Sequence, residues 1–242
     1  DVCSSDLPLR AIEIATALEL SPSSMSELLK SLTDWGYLIF DPVTKHYHPS
    51  PRVMRLARSA NAEFGGAGAL DALLRAALDM FGLPVSISAS QGSFMQVIDF
   101  FWPAGLDPDD LPYKAEHSSP DPFPLNSGVH SPMFGSCSGT AWLATQSDQR
   151  IRETIRLCRR DLGEFADREE DIIRRLAEIG EQGYAFGGIS TDDNLRGLSM
   201  PLPPTAHGLI LVLSLIGPRE RMERERQAIA DGLRGLIAGM NR

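Results

Sequence analysis

A short run of small residues, Gly135-Ser136-Cys137-Ser138-Gly139, is the part of this 242-residue chain whose residue types best suit chemistry. A nucleophile centred between small residues is typical of an elbow that presents a cysteine or serine to a carbonyl. Such an elbow needs a buried strand before it and a base beside it, but residues 131–134 make a poor strand. Only His130 or His207 could be that base, and no orienting acid is evident. A cysteine hydrolase is therefore the disfavoured interpretation.

The same run also suits the binding of an anion, because N–H groups at a helix start would be free of bulky side chains here. We expect a carboxylate to accept hydrogen bonds from the Gly139 and Thr140 amides and from the Ser138 hydroxyl. The predicted effector-binding residues are Phe134, Cys137, Ser138, Gly139, Thr140, Tyr184, Ser199 and Ser214, with Phe100 and Trp142 as further aromatic walls. The alternative is that the small residues only allow a helix to pack closely on a sheet.

No pattern of a metal or cofactor site stands out in the sequence. His46 and His48 share one face of a predicted strand without further ligands, so we interpret them as surface histidines. Glycines at 65–68 lack the features of a phosphate-binding loop. The three cysteines have no metal spacing and predict no disulfide framework, which indicates a reducing cytoplasm.

No stretch approaches the ~20 apolar residues of a membrane span.

Residues 20–38 have the pattern of the DNA-recognition helix of a helix-turn-helix protein. Ser21 is expected to cap this helix, Pro22 fits its first position, and Gly36 suits the left-handed residue that ends it. Apolar residues at helical spacing predict its buried face: Met25, Leu28, Leu29 and Leu32. Short polar and basic residues lie mostly opposite, as suits a helix in a groove: Ser23, Ser24, Ser26 and Lys30.

The flanking segments complete a winged helix-turn-helix over residues 7–50. Residues 9–18 predict a short helix with Ile12, Ala15 and Leu18 directed inward, and residues 37–48 predict a two-stranded wing with a turn at 41–45. The predicted DNA-binding residues are Ser21, Ser23, Ser24, Ser26 and Lys30 in the major groove and Lys45 and Arg52 on phosphates. The alternative is a small helical subdomain without a nucleic-acid role.

The charge distribution limits how this domain would bind. The formal net charge is −9, but residues 1–60 hold seven acids and six bases, so almost all of the excess acid lies beyond them. Few phosphate contacts per chain predict modest affinity for one copy and a need for a dimer on DNA.

The first residues are expected to be foreign to the fold. Residues 1–6 resemble translated sequencing-adapter DNA and lack the organisation of a targeting peptide. A winged helix normally has a helix before the one that begins near Pro8, so we expect the native protein to start earlier and this chain to lack its first helix.

The remaining chain predicts a linker helix over 51–66 and a second domain over 67–242. A helix at 70–81 and a hairpin at 84–101 precede a proline-rich loop at 102–126, which suits a lid. Helices at 148–160 and 167–182, three strands at 184–186, 198–202 and 209–216, and a last helix at 219–240 follow. Strand hairpins with helices at both ends predict an α+β sensor domain of the GAF or PAS kind.

Five short motifs follow the winged helix at 7–50 along the chain: GVHSP at 128–132, SGTAWLA at 138–144, IGEQGYA at 179–185, LSMPL at 198–202 and SLIGP at 214–218. In their order and spacing, over nearly the whole length of the chain, these pieces resemble transcriptional regulators of the IclR type. The resemblance implies an N-terminal DNA-binding domain, a C-terminal domain that binds small organic acids, and dimers that pair into tetramers. Thr140 stands where the family usually has Lys, and Gly187 or Gly188 where it usually has an acid, so the effector is expected to differ from the typical one.

The combined interpretation is a cytoplasmic DNA-binding transcriptional regulator, without cofactor or membrane association, whose affinity for operator DNA is controlled by a small, carboxylate-bearing effector. We expect the effector to change the spacing of paired winged helices through the linker helix. The alternative is a sensor or dimerisation module that does not bind DNA.

Overall fold

The computed structural model describes residues 9–53, 68–105, 130–188 and 194–240, in two compact units that divide between Ala67 and Gly68. The N-terminal unit contains two helices and a small antiparallel sheet of order β1-β3-β2. Its elements are β1 (Leu9–Arg10), α1 (Ala11–Ala17), α2 (Pro22–Asp34), β2 (Leu38–Asp41) and β3 (His46–Pro49). This is the predicted helix-turn-helix followed by a β-wing.

Helix α2 begins and ends where local sequence signals predicted. The Ser21 hydroxyl accepts a hydrogen bond from the Ser24 amide at 3.2 Å, Pro22 occupies the first turn, and Gly36 has a left-handed φ of 72°. Met25 and Leu29 are buried in the centre of the unit. The predicted burial of Leu28 is wrong, because its side chain lies at the margin of the buried face and is 41% exposed.

Helix α1 is shorter than predicted and buries a different face. Leu9–Arg10 pair with β3 as a third strand, so only Ala11–Ala17 are helical. The predicted inward positions of Ile12 and Leu18 are wrong, since these side chains are 68% and 48% exposed. Ile12 is turned away from the line of Ala11, Ile14 and Ala15 that packs on α2, and Leu18 is already beyond the last helical turn.

The wing forms as predicted. Strands β2 and β3 pair in register from Leu38 with Pro49 to Asp41 with His46. The Asp41 carboxylate fixes the turn by accepting hydrogen bonds from the Val43 amide and the Thr44 hydroxyl. Lys45 closes the turn with a φ of 62°. The predicted foreign segment at 1–6 lies outside the described residues.

The C-terminal unit is built on a six-stranded antiparallel sheet of order β6-β5-β4-β9-β8-β7. Its strands are β4 (Val85–Gln91), β5 (Phe94–Phe101), β6 (His130–Pro132), β7 (Ala185–Gly188), β8 (Leu195–Pro201) and β9 (Leu211–Pro218). Its helices are α3 (Ala69–Phe81), α4 (Cys137–Leu143), α5 (Asp148–Leu157), α6 (Arg159–Leu162), α7 (Glu169–Gln182) and α8 (Arg219–Gly239). The predicted α+β class is confirmed.

The two faces of this sheet have different partners. Apolar side chains of β4, β8 and β9 pack with α3 and α8 on one face, where Ile87, Leu198 and Leu213 are almost fully buried. On the other face, α4 contacts all six strands and packs against α7, in a core that includes Met95, Trp142 and Leu176. The short helix α4 is thus the element that lies directly over the centre of the sheet.

Some predicted segments differ or lie outside the description. The helix predicted at 148–160 breaks at Cys158, which separates α5 from α6. Of the predicted linker helix, residues 51–53 are helical and 54–66 lie outside the described residues, as does most of the proline-rich loop at 102–126. Among the helices described, none has both the length and the apolar character that crossing a bilayer requires.

Candidate functional site

A cavity lies between the sheet of the C-terminal unit and the N-terminal end of α4. It contains about 530 Å³ of empty space, part of it open to solvent. Seven serines, one thiol and a few apolar groups form its wall: Ser86, Ser88, Val97, Phe100, Ser131, Ser136, Cys137, Ser138, Gly197, Ser199, Ser214, Leu215 and Ile216. No charged side chain belongs to this wall within the described parts of the chain.

Three of the serines form a row across adjacent strands. Ser214 on β9 lies directly opposite Ser86 on β4 and Ser199 on β8. The Ser199 and Ser214 hydroxyls are 2.8 Å apart and hydrogen-bond to each other. Since residues that are opposite in a ladder place their side chains on the same face, all three hydroxyls lie on the cavity side.

Sequence reasoning missed the serines of β4. Alternating apolar and polar residues at 85–89 are typical of a half-buried strand, but Ser86 and Ser88 are only 4% and 2% exposed. Their regular spacing of two was the available signal, since it places both on one face of the strand. What the spacing does not reveal is that α4 covers this polar face.

A β-bulge explains how Val97 and Phe100 both reach the cavity. Residues three apart on a regular strand point to opposite faces. Here Ser86 pairs with Phe100 and Ser88 pairs with Val97, so β5 carries one extra residue between these pairs. Of the residues between them, Ile98 is 48% exposed. The bulge thereby places Val97 and Phe100 on the face that Ser86 and Ser88 share.

The N-terminal end of α4 does not offer the amides that the sequence analysis assigned to a carboxylate. The Gly139 amide donates to the Ser136 hydroxyl at 3.0 Å, and the Thr140 amide donates to the Ser136 carbonyl at 3.0 Å. Both predicted donors are therefore used by the helix itself, with Ser136 as its cap. The helix spans seven residues, so its dipole is also small.

Gly139 has a packing role. A Cβ atom added there would lie 2.0 Å from the Met133 carbonyl oxygen and 2.7 Å from its carbon. The alternative interpretation of this small residue, that it permits close approach, therefore describes the geometry. Neither Gly139 nor Thr140 belongs to the cavity wall, whereas Ser138 does and lies 3.2 Å from the Ser131 hydroxyl.

Cys137 lines the cavity as a buried, protonated thiol. Its side chain donates to the Gly197 carbonyl at 3.3 Å and, more weakly, to the Gly188 carbonyl at 3.6 Å. Burial raises the pKa of the Cys137 thiol to about 11. His130 is directed elsewhere, with its ring stacked on Phe94 at a centroid distance of 4.0 Å. The chemistry of a nucleophilic elbow is absent from this part of the chain.

The predicted aromatic walls lie mostly elsewhere. Of the four aromatic residues, Phe100 alone belongs to the cavity wall, while Phe134 and Trp142 pack in the core under α4. Tyr184 is buried beside α8, where its hydroxyl accepts from Arg226 at 3.1 Å and its ring lies 5.2 Å from that guanidinium. Its partner is 42 residues away, so no local pattern could reveal this contact.

In the N-terminal unit, the polar face of α2 is exposed. Ser23, Ser24, Ser26 and Lys30 all lie at the surface. The Ser23 and Ser24 hydroxyls are within 3.0 Å of the Ser21 hydroxyl, so the three form a small network at the start of the helix. Lys30 has no ion pair or hydrogen bond within the described ranges.

The two other predicted DNA-binding residues, Lys45 and Arg52, differ in the contacts that they already make within the protein. Lys45 is exposed at the tip of the wing, with its ammonium 5.9 Å from the centre of the Phe40 ring. Arg52 instead donates to the Trp35 carbonyl at 2.8 Å and lies over the Tyr37 ring at 5.3 Å. Arg52 therefore stabilises the C-terminal end of α2, and a phosphate would have to compete with these contacts.

No metal centre is evident in the described residues, which hold no group of three or more His, Cys, Asp or Glu side chains arranged to bind an ion. His46 and His48 lie half-buried on β3, where His46 is paired with Arg10 and Asp41 in the ladder.

Comparisons with known proteins find transcriptional regulators, and the matching family model is that of the IclR type. The model of the IclR helix-turn-helix domain matches residues 4–42. The chain is 23% identical over 242 residues to the HTH-type transcriptional regulator BhcR of Paracoccus denitrificans, covering 96% of this chain and 81% of that one. It is 22% identical over 204 residues to the regulator TsaQ1/TsaQ2 of Comamonas testosteroni, covering 84% of this chain and 69% of that one.

A solved structure shows the same fold. The IclR transcriptional regulator from Alicyclobacillus acidocaldarius superposes with a TM-score of 0.62 at 20% identity, covering 97% of this chain and 90% of that chain.

Proposed function

Because this chain is a transcriptional regulator of the IclR type with a DNA-binding helix-turn-helix domain, we propose that a small organic acid bound in the serine-lined cavity controls its affinity for operator DNA. The relatives that it matches are transcriptional regulators and not enzymes. The proposal therefore concerns the identity of the bound ligand and the effect of that ligand on the affinity for operator DNA.

The observation that carries the proposal is the cavity itself. Concave sites with a mostly apolar wall and a few convergent polar groups are where proteins bind small molecules. Seven serines supply both donors and acceptors there, while Val97, Phe100 and Ile216 supply an apolar wall. This combination suits a small molecule with an oxygen-rich head and an apolar body.

The contacts with DNA are proposed for the exposed face of α2 and the wing. Ser23, Ser24, Ser26 and Lys30 would lie in the major groove, with Ser21 at the helix start and Lys45 on a phosphate of the backbone. Two copies of the chain would present two such helices to adjacent half-sites, and pairing of dimers would give a tetramer. The effect of the acid would pass through residues 51–66, which join the two units in the sequence.

The DNA half of the proposal is tested with the promoter region next to the gene. Fluorescence anisotropy of a labelled duplex should show affinity that falls steeply between about 50 and about 200 mM salt. Lys30→Ala should weaken binding and lower the slope of log K against log salt by about 1. Arg150→Ala is the matched control, because it removes an exposed cation that belongs to the other unit and pairs with Glu153 on the surface.

The effector half is tested by thermal shift with a panel of small carboxylic acids. An acid that binds the folded state at a concentration of about 100 times its Kd adds roughly 2.7 kcal/mol of stability and raises the melting temperature. If no acid in the panel has this effect, the effector proposal fails. If acids bind but no duplex does, at any salt concentration, the chain is a sensor module without DNA binding.

A further inference from the structure

Two hydroxyls on β4 have no hydrogen-bond partner among the residues that the structure describes. Ser86 and Ser88 are 4% and 2% exposed, and both face the cavity. No atom within the described ranges donates to or accepts from either hydroxyl. The other five serines of the wall are all engaged: Ser199 with Ser214, Ser131 with Ser138, and Ser136 with both the Pro132 carbonyl and the Gly139 amide.

This pair stands out because Ser86 and Ser88 are almost fully buried as residues, so the cavity is where a partner can reach their hydroxyls. A serine carries one O–H donor and two acceptor lone pairs, and the donor is the group most in need of a partner. Backbone carbonyls of β4 cannot take these protons readily, since β4 is a central strand whose carbonyls are paired with β5 and β9 on both sides. Two free donors therefore converge on the cavity.

The charges around the cavity determine which kind of ligand can accept hydrogen bonds from the two hydroxyls. The described wall contains neither a carboxylate that would repel an anion nor a cation that would neutralise one. The Arg196 guanidinium belongs to the other face of the sheet, where its Nε lies 3.8 Å from Glu223 of α8 and its Nη1 donates to the Leu195 carbonyl. Any acid group in the cavity is therefore held by neutral donors.

The distance between Ser86 and Ser88 suits the two oxygens of one carboxylate. Residues two apart on a strand lie roughly 7 Å from each other. A carboxylate group that accepts one hydrogen bond of roughly 2.7 Å on each oxygen spans a similar distance. It is an acceptor-only group, and hydrogen bonds to it are about twice as strong as those between neutral groups.

We propose that Ser86 and Ser88 are the residues that bind the acid group of the effector, with one hydroxyl donating to each carboxylate oxygen. The apolar body of the ligand then lies against Val97, Phe100 and Ile216. This inference rests on the proposed control by a small acid and gives it a site on β4, away from the amides of α4.

The test uses the full chain and three probes, benzoate, phenylacetate and hexanoate, each beside its carboxamide. Binding is measured by isothermal titration to the wild type, Ser86→Ala, Ser88→Ala and the control Ser90→Ala. Ser90 lies two positions further along the same face of β4 but outside the cavity wall. We expect at least one acid to bind, its carboxamide to bind about tenfold more weakly, and each of the first two variants to lose about tenfold in affinity for the acid.

The melting temperature of the ligand-free variants shows whether the Ser86 and Ser88 hydroxyls bind the ligand or stabilise the fold. Removing an unpartnered hydroxyl should leave the melting temperature of the ligand-free chain unchanged or slightly higher. A fall of several degrees in both variants would mean that the hydroxyls are structural, which overturns the inference.

The remaining outcomes are distinguishable from a failure of the proposed function. If an acid binds the wild type but binds Ser86→Ala and Ser88→Ala equally well, control by an acid survives and the site on β4 does not. If acid and carboxamide bind equally, the serines recognise a neutral group and the carboxylate assignment is wrong. If none of the three acids binds, the proposed effector class itself fails.

Discussion

At the scale of single residues, Cys137 shows how environment determines whether a reactive side chain reacts. Its place in a small-residue run favours a nucleophile, yet burial keeps the thiol protonated by raising its pKa to about 11. Near neutral pH the thiolate is then a minor species by about four orders of magnitude. The residue serves as part of the cavity wall.

We therefore expect Cys137 to resist alkylation by iodoacetamide near neutral pH. Peptide mapping by mass spectrometry should show slow modification of Cys137 in the folded chain and fast modification in denaturant. Modification of Cys137 in the folded chain as fast as in denaturant would contradict the assigned environment.

The raised pKa of the Cys137 thiol also affects how the free energy of unfolding depends on pH. Below the ordinary thiol pKa of about 8.5, folded and unfolded states both keep the proton, so Cys137 makes stability neither rise nor fall with pH. Above that pH the unfolded state loses the proton first, and the contribution of Cys137 to the free energy of unfolding falls until the pH passes about 11.

At the scale of elements, α4 is positioned over the sheet by a glycine. Gly139 lets the helix approach the Met133 carbonyl more closely than any side chain allows. The first turn of α4 carries Cys137 and Ser138, which line the cavity, so the shape of the cavity depends on this close approach.

Gly139→Ala should destabilise the C-terminal unit by at least about 3 kcal/mol and lower its melting temperature by about 6 °C or more. The matched control is Gly235→Ala, at an exposed position in helix α8 where an added Cβ meets nothing within 4 Å. That change should stabilise the helix by up to ~1 kcal/mol. Equal melting temperatures for the two variants would contradict the packing role of Gly139.

Elements with local signals were predictable from the sequence, and elements that depend on distant partners were not. Ser21, Pro22 and Gly36 define the ends of α2 within a few residues of themselves, so the helix follows from the sequence. Strand β1 and the bulge in β5 depend on pairing with other strands. The pocket role of Ser86 and Ser88 depends on the helix that covers them.

The predicted residues of the candidate site also fall into two groups, those that lie in the cavity wall and those that tertiary contacts place elsewhere. Ser138, Ser199 and Ser214 were expected in a pocket and lie in the cavity wall, but the amides of Gly139 and Thr140 are used by the local cap of α4. Tyr184 was expected as an aromatic wall, and its long-range contact with Arg226 on α8 holds it elsewhere. Composition and periodicity identify residues with suitable chemistry, and only tertiary contacts decide which of them share a site.

At the scale of the whole molecule, the central claim is a coupling between two units. The N-terminal unit presents an exposed polar helix, and the C-terminal unit encloses a serine-lined cavity. If the acid binds the free chain and the chain–duplex complex with different affinities, it must change the affinity for the duplex by the same factor. Tight binding of the acid alone would establish no control.

The most direct measurement is the Kd of the full chain for the promoter duplex with and without a saturating acid from the panel, at one salt concentration. Its carboxamide serves as the matched ligand control. We expect the acid to change the Kd of the duplex by at least about fivefold, which corresponds to a coupling free energy of roughly 1 kcal/mol or more. An unchanged Kd, with calorimetry showing the acid bound to the chain–duplex complex, would contradict effector control.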